Sequence, residues 1–170
     1  MEFPTKAMTE NTQHGLPQVR TIREEIKSLW VEVENSNDIG FLIEIVQQYS
    51  GYLTYLQEEE QSILPFITSS KTHIEICAET VKVEEAREAL RLNNKEGIPM
   101  GKADKLAAIA TRKLREELTL ARKARNEYED LYTDLRGFRT VVEGQKMTIH
   151  QKIKNLMEEY KHSPHRVERQ

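Results

Sequence analysis

Residues 38–67 read DIGFLIEIVQQYSGYLTYLQEEEQSILPFI. Leu42, Val46, Tyr49, Leu53, Leu56, Glu60, Ile63 and Ile67 follow one another at alternating steps of four and three. Seven of these eight positions are apolar or aromatic, and Glu60 is the exception. A 3.5-residue repeat keeps one seam turned toward a partner helix, so the stretch predicts a left-handed coiled coil or a long bundle helix. Asp38, or Asn37 before it, stands where a side-chain oxygen accepts from the free N–H groups of the first turn. Gly40 and Gly51 weaken the helix slightly. Pro65 removes a donor and clashes with the carbonyl four residues back, which predicts a kink at Leu64-Pro65 or a short break around Thr68-Ser69-Ser70. The apolar pattern then resumes through Ile74, Cys77 or Ala78, Val81, Ala86 and Leu90, giving one bent helix or two stacked ones over about 38–92.

On the N-terminal side, Val19, Ile22, Ile26, Leu29 and Val33 form one helical stripe, with Trp30 beside it. A helix over 16–35 is predicted, opening at Leu16-Pro17 and ending at Asn35-Ser36-Asn37. Residues 1–15 lack apolar periodicity and read as a disordered arm with neither the basic nor the apolar region of a signal peptide. On the C-terminal side, residues 93–101, with two Gly, one Pro and two Asn, predict a reversing loop between antiparallel helices. A third long helix is expected from about Lys102 to about Tyr160, Ala-rich at first and then in heptad register through Leu131, Leu135, Phe138, Val142 and Ile149. Gly137 and Gly144, one heptad apart, are either sites of close backbone approach or glycines tolerated on an exposed face. After His162-Ser163-Pro164 the tail, 161–170, should fray.

The expected architecture is therefore all-α: a long antiparallel, coiled-coil-like hairpin over 38–160 with an additional N-terminal helix. Its packing seam is Leu42, Val46, Leu53, Leu56, Leu131, Leu135, Phe138, Val142 and Ile149. A helix of about 55 residues would be on the order of 80 Å long. A compact 170-residue domain has a radius of gyration of roughly 15 Å, so the helices either stay extended or break into a bundle. A lone hairpin would leave Trp30, Ile39, Ile43, Ile45 and Tyr52 uncovered, which points to a first helix packed on it, to self-association as a homo-oligomer, or to both.

Composition bounds the chemistry. The chain is 38% hydrophobic and 31% charged, with seven Gly and five Pro, too few turn-formers for a many-stranded β fold. No apolar run approaches the roughly 18 residues that span a membrane, and a cytoplasmic protein is expected. One cysteine, Cys77, leaves no internal disulfide and reads as a small buried hydrophobe. No nucleophile elbow, phosphate loop or dinucleotide fingerprint is present, so neither an enzyme nor a small-molecule substrate is expected. His162 and His165 have metal-compatible spacing but no acidic or thiol companion, while Glu58 to Glu60, Glu158 and Glu159 lack the Glu-x-x-His pattern of a di-iron bundle, so no metal or cofactor is expected. Tyr49, Tyr52 and Tyr55 lie in acidic surroundings that repel phosphate and read as packing residues.

The net charge of −3 is unevenly spread. Residues 1–67 hold four Lys or Arg against eleven Asp or Glu, and residues 68–170 hold twenty-one against seventeen. Within 102–125 eight bases face three acids. Lys105, Arg112, Lys113, Arg115, Arg122, Lys123 and Arg125 could track a phosphate backbone by charge alone, or could pair with Glu84, Glu85, Glu88 and the acidic first part.

Several stretches carry a family resemblance. These are Tyr49 to Leu56, the run KVEEAREAL at 82–90, KADKL at 102–106, and Tyr128 to Ile153 with Leu135-Arg136-Gly137. Over about 49–160 the chain resembles phage recombination mediators of the UvsY type, small charged helical proteins that assemble as rings or other oligomers. The resemblance implies a phage-encoded accessory protein of DNA recombination or replication in the host cytoplasm. Its partners would be single-stranded DNA and recombination proteins. The alternative from the residues alone is a structural or adaptor coiled coil, of the phage assembly or scaffold type, with protein partners only.

Overall fold

The computed structural model describes residues 5–162, with side chains described from residue 18. Among the described residues there are four helices and no strand: α1 (Thr5–Asn35), α2 (Ile39–Glu96), α3 (Met100–Ala110) and α4 (Arg112–His162). The chain divides into two compact units, Met1–Glu60 with Asp134–Gln170, and Gln61–Thr133.

The first unit is built from three heptad rows. Val19, Ile26 and Val33 on α1, Leu42, Tyr49 and Leu56 on α2, and Leu135, Val142 and Ile149 on α4 are all buried, each row at steps of seven. Side-chain bonds set the helix directions. Tyr52 Oη donates to Glu25 at 2.9 Å and Tyr55 Oη to Gln18 at 2.6 Å, so α1 and α2 run antiparallel. Arg139 Nε donates to Glu60 at 2.8 Å, and the Tyr49 hydroxyl to Gln145 at 3.4 Å, so α2 and α4 do too. The Lys152 ammonium donates to the carbonyls of Val33 and Glu34 at 2.7 and 3.2 Å, satisfying acceptors that a helix C-terminus leaves free. Arg23 pairs with Asp134 and lies over the Phe138 ring, 4.7 Å from its centroid. The first helix thus engages Tyr52, Ile45 is buried, and Ile43 stays exposed.

The seam residues divide by depth. Leu42, Leu56, Leu135, Val142 and Ile149 are buried, and Val46, Leu53, Leu131 and Phe138 are half-buried. Asp38 caps α2 by accepting from Gly40 N at 2.8 Å and Phe41 N at 3.3 Å. Glu60, the exception in the heptad row, is 7% exposed and carries its counter-ion, Arg139, from the facing helix.

In the second unit the later part of α2 pairs with α3 and the start of α4. Phe66 stacks on Tyr128, with centroids 5.9 Å apart. Ala89, Leu92, Ala103 and Ala107 form a small-residue core that Ile98 covers. Three alanines here let the backbones approach closely. Gly97 takes φ +64, the left-handed conformation that ends α2, and the Asn93 side chain ties down the Ile98 carbonyl at 2.8 Å.

Several expectations are corrected. The helical span of α1 begins at Thr5 rather than Leu16, because extending an existing helix needs no new nucleus and no apolar stripe. Side chains of 5–17, and residues 1–4 and 163–170, which hold most of the expected arm and tail and the His165 position, lie outside the described residues. Of the two alternatives around Pro65, one helix holds and the break at Thr68-Ser69-Ser70 does not: α2 runs unbroken through Pro65, which removes only one bond from a 58-residue ladder anchored on both sides by buried Ile63 and Ser70. The turn shrinks to 97–99, and α2 continues through Asn93, Asn94, Lys95 and Glu96. The third long helix is divided at Thr111, whose hydroxyl lies 3.0 Å from the carbonyl of Ala107 and 3.0 Å from Glu85 Oε1. The break is one residue wide, with Thr111 at φ −90 and ψ 11. A Cβ added at Gly137 or Gly144 would meet nothing within 4 Å, so these glycines serve no close approach.

The Glu60–Arg139 pair yields a directional test. Removing one partner of a buried pair costs about 3–5 kcal/mol, whereas replacing both partners by apolar groups is often close to neutral. Arg139→Ala should therefore lower the unfolding free energy in urea by about 3 kcal/mol, at the low end because Arg139 is 28% exposed. Glu60→Leu combined with Arg139→Met, which replaces the whole pair and completes the heptad, should lower it by less than about 1 kcal/mol or raise it.

Candidate functional site

The basic strip lies in the second unit. Lys105 is on α3, and Arg112, Lys113, Arg115, Arg122, Lys123 and Arg125 are on α4. The buried row Ala103, Ala107, Thr111 and Leu118 turns inward, and a helix period then sends the cations outward. All are exposed except Arg125, which is half-buried.

Four of the seven bind carboxylates of this same chain. Arg112 Nε donates to Glu116 at 2.7 Å and Arg125 Nη2 to Glu129 at 2.6 Å, both one turn along α4. Lys123 lies 3.9 Å from Glu127. Arg115 reaches across to Glu85 on α2, which Thr111 also contacts. Among the described residues, Lys105, Lys113 and Arg122 have no carboxylate within ion-pair distance. Pairs on one exposed helix face are worth about 0–1 kcal/mol, so these contacts balance charge more than they hold the fold.

The Glu85 cluster differs because it joins two helices at the bend. Its hydrogen bond from Arg115 holds the Glu85 carboxyl below its ordinary value of 4.5 against the opposing effect of desolvation, with the Thr111 bond and the guanidinium charge adding smaller contributions. The same bond raises Arg115. Farther along α2, Arg91 binds Glu88 at 2.7 Å and Glu96 at 2.9 Å, and this lowers Glu88. Glu84 pairs within its own helix with Arg87 at 2.9 Å, so neither it nor Glu88 serves the strip.

Other candidates resolve structurally. Tyr49 is fully buried, and burial, with Tyr52 beside it, pushes its hydroxyl up to about 12. Cys77 is half-buried rather than buried, with its Sγ 3.4 Å from His73 Nε2 on the same helix face. That contact was visible in principle, since four-residue spacing stacks side chains on a helix. The Arg115–Glu85 pair is one of those expected between the strip and Glu84, Glu85 and Glu88, whereas the part Thr111 plays in it carries no signal in the sequence. Among the described residues no group of three or more His, Cys, Asp or Glu could hold a metal ion, and no helix is long and apolar enough to cross a membrane.

Glu85 supplies a pH test. A carboxyl held low in the folded state contributes stability that is present above its unfolded value, near 4.5, and is lost as pH falls through the lower folded value. Unfolding free energy should therefore decline below pH 4.5 in the wild type, and Glu85→Gln should flatten part of that decline. An identical acid limb in the variant would show that the cluster does not couple to folding.

Comparison of the chain with family models, curated proteins and solved structures finds no match.

Proposed function

We propose that this chain is a non-enzymatic helical adaptor or scaffold protein that acts through helix faces on protein partners. The observation that carries this reading is the self-neutralised strip: Arg112, Arg115, Lys123 and Arg125 pair with Glu116, Glu85, Glu127 and Glu129. A surface evolved to track phosphate would hold its cations free. Apolar side chains are instead left uncovered on helix surfaces, among them Ile109 at 68%, Leu120 at 66% and Met147 at 73% exposed. Exposed apolar groups of this size belong to contacts with other proteins when they gather on one face.

A second reading is favoured by Lys105, Lys113 and Arg122, which no carboxylate neutralises. In it the protein is a phage recombination or replication accessory, as the UvsY-type resemblance implies, and these three hold single-stranded DNA in the host cytoplasm.

Salt dependence separates the two. On single strands the logarithm of affinity falls by about 0.7 per logarithm of salt for each phosphate neutralised. The adaptor reading expects no binding of an oligonucleotide at physiological salt and a slope no steeper than about −2 at low salt, the share of three free cations. Tight binding with a slope near −5, flattened by Arg112→Glu, Arg115→Glu and Lys123→Glu, would overturn it, because the paired cations would then be releasing their glutamates to phosphate.

A further inference from the structure

Two side chains that can ligate a metal stand together on α2 in the second unit. His73 and Cys77 are four residues apart, so their side chains lie one above the other on the helix. Cys77 Sγ is 3.4 Å from His73 Nε2 and 3.8 Å from Nδ1. Both residues are half-buried, so an ion reaches them from solvent while one helix fixes their spacing. The similar distances to the two nitrogens mean that the ring meets the sulfur side-on. Nε2 lies close to the Cβ–Cγ axis, so a turn about that bond re-aims its lone pair and moves the atom little.

The separation fits a tetrahedral ion. Zinc binds thiolate at about 2.3 Å and imidazole at about 2.05 Å. Placed between atoms 3.4 Å apart, such an ion sees them at an angle of about 103°, against about 109° in a regular tetrahedron. A linear two-coordinate ion with the same bonds would need them about 4.3 Å apart. The charge nearby favours a cation over a reactive thiol. Residues 72–81 carry two carboxylates, Glu75 and Glu79, and no lysine or arginine. Lys82 balances Glu79 at 3.9 Å, and Glu75 keeps the local field negative. Nucleophilic cysteines sit in electropositive surroundings, which stabilise the thiolate before any partner arrives. Here the stabilising charge would come with the ion.

We propose that His73 and Cys77 chelate one divalent, thiophilic cation of the zinc class. Sulfur and imidazole are the donors that such ions select. Among the described residues no third His, Cys, Asp or Glu joins the pair, so water fills the remaining positions and the ion exchanges with solution. The ligating sulfur is a thiolate, so binding releases a proton and weakens as the solution is acidified. The site does not depend on whether the protein's partners are proteins or DNA.

The test uses the full chain, reduced and stripped of metal, with cadmium as the probe because its bond to thiolate absorbs in the ultraviolet. The band should saturate at one cadmium per chain, an excess of zinc should displace it, and Cys77→Ser should abolish it. His73→Ala should keep the band but weaken binding by at least about tenfold, since even an outer-sphere partner is worth that much to a metal site. Helical circular dichroism of both variants should match that of the unsubstituted chain, because neither side chain is fully buried. On the unsubstituted chain itself, cadmium should shift the His73 ring resonances, assigned by their absence from His73→Ala, in step with the band. Equal affinity in the unsubstituted and His73→Ala chains would mean a bare thiol holding an adventitious ion only, and would overturn the proposal. So would a saturable band with no shift at His73, or no band at millimolar cadmium.

Discussion

The structure rests on the need of α2 and α4 to hide apolar rows that neither helix can bury alone. In the first unit these rows are Leu42, Tyr49 and Leu56 against Leu135, Val142 and Ile149, and every member is at most 2% exposed. Burying a Leu or Val side chain contributes about 1.5–3 kcal/mol relative to exposure, far more than any exposed ion pair described above. The ion pairs therefore settle details of register around a fit that the apolar rows have already imposed. The one polar intrusion, Glu60, keeps the spacing of the row and meets Arg139 where an apolar residue would otherwise sit. Such a pair adds little net stability, but it penalises any shift of register that would bury one charge without the other.

Much of this could be read from the chain. The apolar repeats gave the all-α class, the inward faces of α1, of the first part of α2 and of the later part of α4, and the Asp38 cap, because each depends on contacts a few residues apart, whereas Ala86 and Leu90, expected on the inward stripe of α2, are exposed. Ile22 and Leu29 on α1 and Val46 and Leu53 on α2 take their expected inward side, though only half-buried, since a narrow seam covers its edges incompletely. What sequence reading missed depends on contacts between distant residues. Pro65 looks like a break until its neighbours are seen to be anchored. Thr111 looks like an ordinary helix residue until its hydroxyl is found between Ala107 and Glu85. The strip at 102–125 was visible as charge. Of its counter-ions, Glu85 was among the carboxylates expected, while Glu116, Glu127 and Glu129 were not, although they lie one turn along α4 where spacing marks them.

In the second unit α2 carries apolar residues on two faces, one buried and one exposed. Val81, Ala89 and Leu92 specify the fold, while Ile76, Val83 and Leu90, about half a turn away, leave it unchanged. A heptad repeat does not say which seam is internal. Only the position of α3 and α4 assigns the first set to the core and frees the second.

The two units also differ in how the chain must travel to make them. The second is one continuous stretch, residues 61–133, and its cross-helix bonds join residues 26 and 30 apart. The first closes contacts over 111 and 119 residues, from Arg23 to Asp134 and from Lys152 to Val33. Long closures are entropically costly and slow. At about 5–20 residues per second of synthesis, the acceptors at the end of α1 wait roughly 6–24 s for Lys152 to be made. The acidic N-terminal part therefore emerges with its apolar stripe uncovered and is completed last, after the middle of the chain has had time to close on itself.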